Sequence, residues 1–98
     1  MIIREFKLDP AAFVNQVTAP IVKSLCVVYH GFDPYLTAIV DPERRPEEYI
    51  VCAFDTGWDF DLNSVTVSPE DYLNTTSAGE SPYVWHWFCR KLIQSSDL

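Results

Sequence analysis

The chain is short of glycine, of cysteine and, through its second half, of positive charge. Its three glycines are too few to build the phosphate-cradling loops of the common nucleotide-binding motifs. No serine carries the flanking glycines of a nucleophile elbow. The three cysteines, Cys26, Cys52 and Cys89, are an odd number set in apolar runs. A disulfide scaffold uses even counts and loop-rich composition, so they read as reduced core residues of a cytoplasmic protein. No stretch approaches the ~20 consecutive apolar residues of a membrane span, and the opening MIIREFKL has no apolar core for a signal peptide. There is no internal repeat and no low-complexity segment.

The missing bases say most. No Lys or Arg occurs from Pro46 to Cys89, a stretch holding Glu47, Glu48, Asp55, Asp59, Asp61, Glu70, Asp71 and Glu80. The remainder is close to neutral, and the net charge is −7. That balance argues against a general nucleic-acid binder, which needs a basic surface to displace counterions. It equally argues against docking on an anionic membrane. A one-sided acidic field is either a solubilising face or a surface that meets a basic partner.

What is present is apolar and β-rich: 98 residues, 48% hydrophobic and 14% aromatic, enough for one domain over 1–98 with a disordered tail at 94–98. Residues Ile2 to Leu8 alternate like an outer strand. Asp9-Pro10 has the chemistry of a helix start, and the following Val14 and Val17 fit a short helix or a strand ending at Pro20. Ser24 to Tyr29 and Tyr35 to Val40 are β-rich runs joined by His30-Gly31-Phe32-Asp33-Pro34, a hairpin with a loop longer than the tightest types. Both faces of that pair are apolar, which predicts a sheet covered on both sides. Glu48 to Phe54 is a third run, turned at Asp55-Thr56-Gly57. Val65 and Val67 suggest a short strand. Ser68-Pro69-Glu70-Asp71 reads as a helix start, yet Tyr72 to Thr76 has strand composition. In the closing aromatic stretch, Trp85, Phe88, Cys89, Leu92 and Ile93 follow a helical stripe.

The centre of the chain resembles a family of small uncharacterised proteins encoded mainly by phages and prophages. The matching residues are Phe6-Lys7-Leu8, Leu25 to Tyr29, Tyr35 to Val40 with the loop opener Asp41-Pro42, Thr56-Gly57, and Val84-Trp85-His86-Trp87-Phe88. The chain departs from the family at Asp55, where a glycine is usual, and at Trp58, where a histidine is usual. It also departs in a longer segment from Trp58 to Asp71 and in an extension from Arg90 to Leu98. The resemblance implies a mainly β single domain, a small sandwich or partly closed barrel of about five to seven strands with one or two short helices; α+β is the alternative. It places Val84 to Phe88 in a closing strand and leaves Arg90 to Ile93 for a short helical tail. It implies a setting in the host cell cytoplasm and supplies no activity.

Candidate chemistry is sparse. His86 and Cys89 are the one close pair of soft metal ligands, and on a strand they face opposite ways. Asp55, Asp59 and Asp61 fit no calcium-loop frame. Cys52 and Cys89 lie where a thiolate is costly. The expectation is therefore no enzyme, no metal and no cofactor. The acidic, aromatic segment DTGWDFD points to binding instead. Asp55, Trp58, Asp59, Phe60 and Asp61, with Glu70 and Asp71, are the candidate contact residues for a host protein with a basic surface, without direct nucleic-acid or membrane contact. Inhibition of a bacterial defence or nucleic-acid-handling factor is the concrete version. The alternatives are a small metal-dependent hydrolase using His30 or His86 with the acids at 55–61, and a virion or assembly component. A homodimer through sheet edges is also open.

Overall fold

The computed structural model describes residues 1–58, 67–77 and 83–92. Among them seven strands run in the order β1 (Ile2–Lys7), β2 (Val14–Ala19), β3 (Ile21–His30), β4 (Asp33–Val40), β5 (Glu47–Asp55), β6 (Tyr72–Ser77) and β7 (Val84–Lys91). They form two antiparallel sheets, ordered β1-β4-β3 and β2-β5-β7-β6. The protein is thus mainly β, a two-sheet sandwich without a closed barrel among these strands. No helix in the described residues is long and apolar enough to cross a membrane.

Period-two patterning builds the core. On β4 the inward positions Pro34, Leu36, Ala38 and Val40 are buried, and the residues between them are half-buried. Val17 and Ala19 of β2, Tyr49, Val51 and Ala53 of β5, and Trp87 of β7 meet them from the second sheet, with Leu8, Ile21 and Val27 completing the cluster. A satellite core lies on the opposite face of the second sheet, where Cys52, Phe54 and Phe88 pack with Ile50 and Val67.

Three devices join the sheets. Pro20 is the single residue between β2 and β3, so the chain turns a corner from one sheet to the other. Proline has no N–H to leave unpaired there, and its carbonyl accepts the Asp41 N–H at 3.0 Å. Asn74 of β6 takes the place of a backbone partner: its Oδ1 accepts the Val27 N–H and its Nδ2 donates to the Val27 carbonyl, both at 2.8 Å. The Tyr49 hydroxyl adds a third link by donating to the Ile21 carbonyl at 3.0 Å.

Several expectations need correction. Asp9 starts a turn rather than a helix. Its carboxylate accepts the Ala11 N–H and its carbonyl the Ala12 N–H, and Val14 then enters a strand whose edge pairs with β5. The β3–β4 loop is tight: His30 pairs with Asp33, leaving only Gly31 and Phe32 in the turn, with Gly31 at φ +67°. The first sheet is covered on one side, because Tyr35, Thr37 and Ile39 face outward half-buried and Ile3, paired with Ile39, is 66% exposed. The helical tail does not form at Arg90 and Lys91, which extend β7 against Ile50 and Tyr49. Val67 packs in the satellite core outside any strand. Val65, Ile93 and the 94–98 tail lie outside the described residues. The start at Ser68 makes one 3₁₀ turn, Pro69–Asp71, before Tyr72 opens β6.

Candidate functional site

The candidate contact residues separate into two places. Asp55 ends β5 directly opposite Trp85 of β7. Its Oδ1 accepts the Thr56 N–H at 2.8 Å, and its carbonyl accepts the Trp58 N–H at 3.1 Å, closing a turn. Gly57 sits in that turn at φ +91°, a conformation that side chains resist, so this glycine is what lets Trp58 fold back.

Trp58 lands on other aromatics. It meets Phe13 edge to face at 4.9 Å and Trp85 at 5.7 Å, and Phe13 also touches Trp85 at 5.5 Å. Tyr83 stacks on Trp85 with ring centroids 5.7 Å apart and planes 21° apart. These four rings form a plate at one end of the sandwich. Part of it packs and part faces water: Phe13 is 49%, Trp58 40% and Tyr83 52% exposed. Trp87, two residues along the same face from Trp85, is buried, with its indole N–H donating to Thr76 Oγ1 at 2.8 Å.

Glu70 and Asp71 lie elsewhere, beside the far end of β7. Asp71 is committed locally. Its carboxylate accepts the Ser68 N–H at 2.8 Å and pairs with Arg90 at 3.6 Å. Glu70 is exposed, and the Ser68 hydroxyl, a backbone hydrogen bond and the nearby Arg90 charge lower its carboxyl below the ordinary range. They line a groove of about 300 Å³ with Lys23, Cys89 and Lys91. Asp59, Phe60 and Asp61 follow Trp58 in sequence and lie outside the described residues.

Lys91 pairs with Glu47 at 2.7 Å at the opposite end of β5 from Asp55, and Arg44 and Arg45 precede that end. No ion pair among the described residues reaches Asp55. Every Lys, Arg and His of the chain lies among the described residues, so no other base is left to neutralise it.

A second cavity of about 310 Å³ opens beside the plate. Phe54, Asp55, Thr56, Gly57, Trp58, Tyr72, His86 and Phe88 form its walls. His86 is held at both nitrogens, Nε2 by Thr56 Oγ1 at 2.8 Å and Nδ1 by Thr75 Oγ1 at 2.9 Å, and Thr75 in turn meets the Tyr72 hydroxyl at 2.7 Å. Cys89 points to the opposite face, where the Ser24 hydroxyl donates to its sulfur at 3.3 Å. His30 pairs with Glu5 at 2.7 Å on the first sheet. Neither histidine is partnered by Asp55, and among the described residues no three His, Cys, Asp or Glu side chains gather as a metal site. Burial pushes the Cys52 thiol up to about 11 and raises Cys89 as well, so neither is poised as a thiolate.

Sequence reasoning named Asp55 and Trp58 as candidates but not the rings that pack beside them. Phe13 gave no signal, since it stands alone between Ala12 and Val14. Tyr83 and Trp85 belong to a stretch that reads as interior filling throughout. Comparison with family models, curated proteins and solved structures finds no match for this chain.

Proposed function

We propose that this is a small, acidic, non-enzymatic accessory protein of a phage or prophage that acts in the host cytoplasm by covering a basic surface of a host protein. Inhibition of a bacterial defence or nucleic-acid-handling factor is the concrete form. The supporting observation is the half-exposed plate of Phe13, Trp58, Tyr83 and Trp85 standing beside Asp55, a carboxylate that no base among the described residues pairs with. Aromatic side chains bury large, rigid area at low entropic cost and dominate interface energetics. Carboxylates around them select a basic partner and speed its arrival. The phage setting and the host partner rest on the resemblance of the central strands and of the closing aromatic strand.

The test is capture from host lysate on immobilised protein at low and high salt, followed by reconstitution with the purified captured protein. The expected partner is basic and is released by salt. Trp58→Ala and Tyr83→Ala weaken its binding at least tenfold while the protein keeps a cooperative melt. Capture that survives both substitutions and high salt overturns the reading.

A further inference from the structure

We infer that the aromatic end reads an arginine side chain of its partner, the guanidinium lying against the exposed rings and its N–H groups meeting the Asp55 carboxylate. This rests on the reading of that end as a docking surface and names what it docks. Asp55 and Trp85 are direct cross-strand neighbours, so their side chains leave the same face of the sheet within reach of one bound group. Asp55 Oδ1 holds one backbone N–H, which leaves Oδ2 and a further lone pair as acceptors. No cation of the chain pairs with that carboxylate among the described residues.

The chemistry narrows the occupant. An apolar partner patch would cover the rings but would also bury Asp55 without a counter-charge, which is costly. A phosphate-bearing ligand meets the wrong field at this end. A cation satisfies both halves of the site, the ring faces through their quadrupoles and the carboxylate directly. Of the two cationic side chains, guanidinium fits better. It is planar, so it stacks on a ring face, it sheds water more readily than ammonium, and it forks onto a carboxylate.

The test uses capped single residues as probes. N-acetyl-arginine amide and N-acetyl-lysine amide are titrated separately into the full chain, reading the indole N–H resonances of its three tryptophans. Capped arginine is expected to move the Trp58 and Trp85 signals saturably while buried Trp87 stays still. Capped lysine is expected to bind several-fold more weakly. Asp55→Asn should weaken arginine about tenfold, or about 1.4 kcal/mol, with the melt unchanged. Equal response to lysine, equal response to a neutral sugar such as glucose, or indifference to Asp55→Asn overturns the inference. A flat arginine titration, with lysate capture lost in Trp58→Ala but kept in Asp55→Asn, overturns it alone and leaves the docking reading standing. Capture indifferent to Trp58 overturns both.

Discussion

Three tryptophans of one chain meet three environments, and the difference is set by a few atoms of neighbouring backbone. Trp87 opposes Ala53 and Asn74 in the middle of its sheet, packs edge to face on Tyr29 at 6.4 Å and gives its N–H to Thr76. Trp58 has rings on one side and water on the other. Trp87→Ala should therefore cost about 3–5 kcal/mol of unfolding free energy. Trp58→Ala, losing roughly half a burial, should cost about 1–2 kcal/mol. Urea titrations of the two variants check the ordering, and equal costs would mean that Trp58 is core. The sequence shows three tryptophans near acids or apolar neighbours but not which water they keep. That depends on Phe13, which reaches the plate only because Ala53 N–H bonds to the Phe13 carbonyl at 2.9 Å, a tertiary event with no local trace. Alkaline pH tests a different residue. Cys52 is fully buried, and burial raises its thiol to about 11, above the ordinary value of an unfolded thiol. A raised pKa means that the folded state holds its proton longer. Its contribution is complete below about pH 8.5 and is lost as pH climbs toward 11, by at most about 3 kcal/mol. Burial raises Tyr29, Tyr49 and Cys89 in the same direction, so Cys52→Ala should make the decline between pH 8.5 and 11 shallower without abolishing it. Chemical denaturation at stepped pH gives the slope.

At the scale of elements, one side chain stands in for backbone pairing at the seam between β3 and β6. Asn74 imitates a backbone unit, donating to and accepting from Val27, at the point where β6 shifts register against β7 between Tyr72 and Asn74. Asn74→Ala leaves a partly buried N–H and C=O of Val27 without that partner, an expected loss of about 2–3 kcal/mol. Hydrogen exchange at the Val27 amide should accelerate more than at the Leu36 amide in the buried middle of β4. Equal acceleration would mean that the seam opens only by global unfolding. The paired strands themselves are legible in the sequence because they are short apolar, β-rich runs bounded by turns: β3, β4 and β5 fall on the three such runs, and β6 on the strand composition that follows Ser68. Illegible segments are those in which two local signals conflict. Asp9-Pro10 offers a helix start, but the next residues gain more by pairing with β5 than a short isolated helix could retain. Trp85, Phe88 and Cys89 follow a helical stripe, so periodicity alone favours a helix there. Register against β5 on one side and β6 on the other decides for the strand and carries it on through Lys91. The bend at Pro20 is readable as a break but not as a change of sheet.

For the molecule as a whole, the aromatic plate and the bases at 44, 45, 90 and 91 lie at opposite ends of β5. Between Asp55, opposite Trp85, and Tyr49, opposite Lys91, β5 advances six residues, about 20 Å. Over that span, more than twice the ~8 Å screening length at physiological salt, the bases at 44, 45, 90 and 91 contribute little field to the aromatic end. The total charge of −7 legible in the sequence does not show this separation, which arises because β5 and β7 run antiparallel and hold Asp55 apart from those four bases. On the proposed docking reading, a basic partner approaching the aromatic plate is steered by Asp55, whereas at the other end Lys91 and Arg90 are paired with Glu47 and Asp71. Steering acts on the encounter rate and not on the time bound. With the reconstituted partner, Asp55→Lys should lower the association rate constant about tenfold at low salt and less at high salt. Arg44→Gln, at the remote end, should leave it within about twofold, since a screened charge has little reach. Stopped-flow association on the tryptophan signal at several ionic strengths measures both. If the two variants change the rate equally, the field is that of net charge alone and the acidic end has no privileged role in capture.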